Sequence, residues 1–149
     1  MRLVEIPKDG RCFDSSVAPS SMVEEVVRDT LRFYATSGFS LPWVSYLAVV
    51  GSDAVGVCSF KSAPKNHRVE IAYFTFPQYE GKGFATEMVA ALLRIANDFS
   101  PELLVSARTL KDRNASHRVL EKSGFVVSGV VTDPEDGEVV EWLYRRLGS

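Results

Sequence analysis

Gln78, Gly81 and Gly83 stand in the stretch "TFPQYEGKGFAT", Thr75 to Thr86, as Q-x-x-G-x-G between an apolar run and a helix-like run. That arrangement could hold a phosphate. The first turn of a helix carries unpaired backbone N–H groups and the positive end of the helix dipole, so it attracts anions. Glycines there let the backbone approach an anion with no Cβ in the way. A plain turn before a helix is the alternative, although two glycines in three residues at a helix's first turn cost backbone entropy. Lys82 adds a cation at the rim. The Walker pattern G-x-x-x-x-G-K-[ST] is absent, and the dinucleotide pattern G-x-G-x-x-G/A fails at its last position, Thr86. Glu102 precedes the strand "LLVSAR", whereas a ribose-binding acid belongs at a strand's far end.

The elements that must position this loop are legible from periodicity. "RLVEIP" alternates as a strand, and Ser21 with Glu24 forms an S-x-x-E capping-box pattern ahead of a helix over about 22–36. "WVSYLAVV" and "AVGVCSFK", joined by "GSD", read as a hairpin, and "HRVEIAYFTF" as a further strand. After the glycines, Phe84, Met88, Val89, Leu92, Ile95, Ala96 and Phe99 mark one face of a long helix ending near Ser100 and Pro101. "ELLVSAR" is a strand, "ASHRVLEKS" a short helix stopped by Gly124, and "FVVSGVV" and "EVVEWLYRR" a closing hairpin across "DPEDG". The order β-α-β-β-β-α-β-α-β-β predicts an α/β (α+β) fold, a mixed and mostly antiparallel central sheet flanked by helices.

With these elements in place, the chain resembles the GNAT superfamily of acetyl-CoA-dependent N-acetyltransferases over nearly its whole length. The resemblance lies in the Q-x-x-G-x-G loop, in "EIAYF" upstream and in "SHRVLEKSGF", Ser116 to Phe125, downstream. "GKGFATE" with that last stretch looks most like the branch containing the ribosomal-protein N-terminal acetyltransferases. The resemblance implies acetyl-CoA as co-substrate and an amine as acceptor, with the loop Gln78, Gly81, Lys82, Gly83, Phe84, Ala85 and Thr86 cradling the pyrophosphate. It implies a strand that splays from its neighbour, so that the backbone of Phe74, Thr75 and Phe76 pairs with pantetheine. The Phe74 N–H would then serve the thioester oxyanion, with the Phe74 and Phe76 side chains as core.

N-acetylation needs a neutral amine, and most free amines are protonated at pH 7, so a base must take the proton. Glu70 is the candidate. Alternation puts it on one face with Ala72, Phe74 and Phe76, where apolar neighbours would raise its pKa; the resemblance also implies a glutamate base here. The alternative is a surface carboxylate paired with Arg68. Ser116 matches the serine that the resemblance implies near the CoA sulfur, where a hydroxyl could relay a proton; the alternative is an ordinary helix cap.

The sequence departs from the family pattern twice. The CoA-contacting asparagine should stand where Arg113 does, with Asn114 one residue late, and Leu120 occupies the place of a proton-donating tyrosine. Tyr73 and Tyr144 are candidate substitutes, or core tyrosines. His67 and His117 have no partner at catalytic or metal spacing and read as surface residues. Phe39, Trp43 and Tyr46 read as core or as a lining for the acceptor, and "DPEDGE" as a solvated turn.

Composition bounds the rest. A chain of 149 residues, 46% hydrophobic and 24% charged, fits one domain, 1–149, with a real core. A formal net charge of -2 gives no reason to expect nucleic acid. No apolar run approaches the ~20 residues that span a bilayer. The first ten residues read as a strand rather than a secretion signal, and Cys12 and Cys58 are too few for a disulfide framework. The expectation is a cytoplasmic enzyme without metal, for which the resemblance allows a homodimer. A non-catalytic acyl-CoA-binding module on the same scaffold is the rival reading.

Overall fold

The computed structural model describes residues 1–10, 15–112 and 114–145. Cys12 and Arg113, weighed above, lie outside them. Among the described residues the elements run β1 (Arg2–Glu5), α1 (Ser21–Ser37), β2 (Ser45–Val50), β3 (Asp53–Phe60), β4 (Arg68–Thr75), α2 (Phe84–Phe99), β5 (Leu104–Leu110), α3 (Ala115–Lys122), β6 (Phe125–Asp133) and β7 (Gly137–Tyr144). This is the expected order, with one added 3-10 turn at Pro77–Tyr79. The sheet order is β1-β2-β3-β4-β5-β7-β6, and every neighbouring pair is antiparallel except β4 with β5. A parallel pair needs a long crossover, and α2 supplies it.

Helices cover both faces. On one, Met88 of α2 packs so tightly on β3 that a Cβ at Gly56 would meet its Cε at 2.9 Å. Thr30 and Phe33 of α1 border a groove with Val57 and Ser59 on the other. Phe60, Leu47, Ile71, Met88, Leu92 and Leu120 are fully buried between the layers. Removing such surface from water is the main force holding the layers together.

The start of α1 corrects the capping reading. Ser20, not Ser21, is the N-cap: its side chain accepts from the Val23 N–H at 3.1 Å, and its backbone is extended. Glu24 then falls one position too late to close a capping box.

β4 and β5 do not stay together. Their pairing runs from Arg68↔Leu104 to Ile71↔Ala107 and stops, although β4 continues to Thr75 and β5 to Leu110. The last turns of β4 thus leave an open edge that leads, through the 3-10 turn, into the start of α2.

Candidate active site

The start of α2 is built to meet an anion. Gly83 is its N-cap with φ 83° and no side-chain cap, and the helical ladder begins with Glu87 N–H to Gly83 C=O at 3.2 Å. The amides of Phe84, Ala85 and Thr86 precede that bond and have no partner within the helix. Gly81 and Gly83 both hold positive φ, where an L side chain is strained. A Cβ at either would meet nothing within 4 Å, so the left-handed backbone, rather than crowding, calls for glycine.

These amides border a cleft of about 600 Å³ between the open edge of β4 and helix α3. Of the residues that the family resemblance implied at the cofactor, Phe74, Thr75, Gly81, Gly83, Phe84, Ala85, Thr86 and Ser116 line it. Four expected members do not: Phe76 and Gln78 face a separate cleft with Ala18, Pro19 and Asp53, Asn114 caps α3, and Lys82 stays exposed on the loop. Arg118 and Lys122 of α3 line the cleft and were not anticipated. Their four-residue spacing is the signal that could have found them, since it puts two cations on one helix face.

Backbone direction along β4 corrects the oxyanion assignment. The β3–β4 register is unbroken from Gly56↔Thr75 to Phe60↔Ile71. Just outside it, Lys61 N–H reaches Glu70 C=O and Phe76 N–H reaches Val55 C=O, each at 2.9 Å. In an antiparallel pair the bonded residues alternate, so the even-numbered residues of β4, Phe74 included, turn their amides to β3. Leu104 N–H bonds His67 C=O at 2.9 Å, which confirms that the odd residues turn to β5. The amides facing the opened gap are therefore those of Tyr73 and Thr75. Phe76 is committed at both ends, because its C=O accepts from Tyr79 at 2.8 Å. Its side chain is core, whereas that of Phe74 is 50% exposed and is not.

Glu70 lies three residues up the strand from Tyr73, on the face of Ala72 and Phe74, but its surroundings are not apolar. Lys61 Nζ stands 3.3 Å from Oε2 and Arg108 Nε 3.8 Å from Oε1. Arg68, the partner expected in the alternative reading, pairs instead with Glu141 at 2.7 Å. Cross-strand neighbours brought these cations, and periodicity within β4 could not show them. Oε2 is a buried oxygen with no hydrogen-bond partner among the described residues, Lys61 being near but out of line. A carboxylate oxygen left in this state is poised to accept a proton donor.

Asn114 caps α3, its Oδ1 accepting from the Ser116 N–H at 2.9 Å, and it does not line the cleft. Ser116 is consequently not the cap. Its carbonyl accepts from the Tyr73 hydroxyl at 3.4 Å, so Tyr73 and Ser116 meet across the cleft wall. Burial pushes the Tyr73 phenol up to about 12, and the Ser116 hydrogen bond opposes this only in part. Tyr144 packs on Phe125 and lines a neighbouring recess with Arg94 and Asn97.

His117 is buried rather than superficial. Its Nε2 lies 2.9 Å from the Leu110 carbonyl and 3.1 Å from Thr109 Oγ1, and Trp142 Nε1 donates to that same Oγ1 at 3.0 Å. A carbonyl only accepts, so Nε2 carries the proton; the ring ties α3 to β5. Trp43 and Tyr46 are core, and the Asp133 carboxylate accepts from the Glu135 and Asp136 amides to close the "DPEDG" turn. Among the described residues, no three metal-ligating side chains cluster and no helix is long and apolar enough to cross a membrane.

Comparison with known proteins bears on this geometry. Residues 11–126 match the family described as Acetyltransferase (GNAT) domain. The uncharacterized N-acetyltransferase YoaA of Bacillus subtilis (strain 168) is 30% identical over 80 residues, 53% of this chain and 45% of that relative. The match thus spans less than half of YoaA. Among solved structures, a spermidine N-acetyltransferase SpeG chimera from Vibrio cholerae and hSSAT superposes with a TM-score of 0.69 at 13% identity, over 97% of this chain and 95% of that one. The ribosomal L7/L12 alpha-N-protein acetyltransferase RimL in complex with coenzyme A superposes at 0.63 with 18% identity, over 85% and 72%. At these identities the likeness concerns the fold.

Proposed function

Because the chain belongs to the GNAT acetyltransferase family, we propose that it is an acetyl-CoA-dependent N-acetyltransferase moving an acetyl group directly from CoA to a primary amine. The observation that carries this reading is the continuous path from the opened β4–β5 gap to the uncapped first turn of α2. The amides of residues 84–86 take the pyrophosphate, with Arg118 and Lys122 on the opposite wall and Lys82 at the rim. The pantetheine arm lies along β4 like an added strand, pairing with the odd-numbered backbone groups of Tyr73 and Thr75. An N–H on that edge, rather than that of Phe74, stabilises the oxyanion formed as the amine nitrogen adds to the thioester carbon.

Glu70 accepts the ammonium proton. Three residues of strand separate it from Tyr73, ~10 Å, farther than one side chain reaches, so water carries the proton. When the C–S bond breaks, the Tyr73 hydroxyl turns from the Ser116 carbonyl that it bonds at 3.4 Å and donates instead to the departing thiolate, while the second proton of the adding nitrogen leaves to water. Amine acceptors in the names of the SpeG chimera (spermidine) and RimL (a protein α-amine) support an amine here.

Purified protein given acetyl-CoA and a panel of primary amines should release CoA thiol faster than hydrolysis alone. Glu70→Gln should lower kcat by about 10²-fold or more with the KM for acetyl-CoA little changed. An unaltered kcat removes Glu70 from the chemistry. CoA binding with no turnover on any amine leaves a binding module instead.

A further inference from the structure

On the face of the sheet that carries Glu70 and Phe74, a second groove of about 470 Å³ runs between α1 and strands β2 to β4. It meets the CoA cleft at Phe74, whose ring borders both. Lys61 lines it too and links it to Glu70 through the 3.3 Å ion pair. We propose that this groove seats the acceptor, and that the acceptor is a small primary amine on an apolar aryl or branched-alkyl body. The proposal rests on the transfer reading above.

The walls set the body of the ligand. Met22, Val26 and Phe33 of α1 face Val57 and Phe74, and every one of these apolar side chains keeps part of its surface in solvent. An apolar ligand body would take that surface out of water. The polar side chains within the walls are the hydroxyls of Thr30, Ser45 and Ser59. A polyhydroxylated amine would leave most of its own hydroxyls without partners, which is costly when they are buried. A peptide needs main-chain partners, and the floor strands β2, β3 and β4 are already bonded to one another.

Charge is confined to a few of the lining residues. Glu25 and Asp29 stand exposed at the outer rim, and Asp29 already faces Arg32 at 3.7 Å. Lys61 is paired with Glu70, four residues along the chain from the Val57–Phe74 pair where the groove meets the CoA cleft. The remaining lining is apolar or hydroxylic, so a charge held against it finds no ionic partner.

The test compares phenethylamine, spermidine, kanamycin and a tetrapeptide with a free α-amine in the thiol-release assay. Saturation-transfer NMR of phenethylamine on the CoA-loaded protein runs alongside. The expected result is a kcat/KM for phenethylamine about tenfold or more above the other three, with saturation transfer to its ring. Val26→Glu, which keeps a good helix former in α1, should lower the phenethylamine value about tenfold or more and weaken its NMR signal. Higher or equal kcat/KM for spermidine, kanamycin or the peptide overturns the proposal, as does the absence of saturation transfer. Ring saturation that Val26→Glu abolishes, with no turnover of any amine, upholds the groove and overturns the transfer reading alone.

Discussion

At the scale of the residue, the proposed transfer turns on how Tyr73 meets the leaving sulfur. Its phenol is buried and pushed up to about 12, whereas a thiol ordinarily ionises near ~8.5. Full transfer of the phenolic proton to the thiolate would be uphill by several pKa units, so in the proposed transfer the hydroxyl serves as a hydrogen-bond donor that exchanges the Ser116 carbonyl for the sulfur. A hydrogen bond to a charged group contributes ~1.5–3 kcal/mol, which corresponds to about 10- to 100-fold in rate. Tyr73→Phe should therefore lower kcat by that factor while leaving the KM for acetyl-CoA nearly unchanged, as steady-state kinetics would read. A rise in KM with kcat intact would mean that the ring merely lines the cleft. Leu120, at the place where the family resemblance implied a tyrosine, is fully buried and has no such part to play.

At the scale of the element, the site depends on how closely α2 lies on the sheet beside the opened strand. Gly56 of β3 pairs with Thr75, and a Cβ there would come within 2.5 Å of the Phe74 carbonyl and 2.9 Å of Met88 Cε. Met88 could turn aside; the carbonyl belongs to the ladder and cannot. Gly56→Ala should cost ~1–3 kcal/mol, seen as a lower denaturation midpoint in urea at unchanged slope. A midpoint equal to the wild type's would show that the ladder gives way freely. Gly56 also marks where sequence reading stopped. The order of elements, the mixed and mostly antiparallel sheet and the glycine loop follow from local signals, and periodicity carried them; which pair is parallel appears only in the fold. Which amide of β4 faces the gap depends on register with β3, which alternation within β4 does not carry; the amides of Tyr73 and Thr75 face it and that of Phe74 does not. The cations around Glu70 and the depth of His117 come from strands and helices that meet only in the fold. Asn114 was visible as a residue, but its capping role needed the boundary of α3 to within one position.

At the scale of the whole molecule, a band of ionic groups crosses the sheet on the face opposite α2 and limits the pH range of stability. Lys61, Glu70, Arg108, Glu141, Arg68 and Asp133 join β3 through β7 by contacts of 2.7 to 3.9 Å. Burial works to raise the Glu141 carboxyl, but the Arg68 guanidinium bonded to it, with Ser128 and Arg108, holds it below the ordinary carboxylate range. In the unfolded chain it titrates near ~4.3. Its folded value is the lower one, so its contribution is whole above ~4.3 and is lost as pH falls through the folded value. At the alkaline end the signs reverse. Burial raises Tyr46 and Cys58 to about 12 and Tyr34 upward as well, so their contribution is whole below their unfolded values of ~8.5–10 and is lost as pH rises toward the folded ones. Thermal unfolding should thus show a plateau between about pH 5 and 8 with a fall on both sides. Glu141→Gln should lower the neutral plateau, because Arg68 loses its charged partner, and should flatten the fall between about pH 5 and 3. An acid limb parallel to the wild type's would place the acid-labile contribution on another carboxylate of the band, and the alkaline limb, which Glu141 does not touch, should be the same in both proteins.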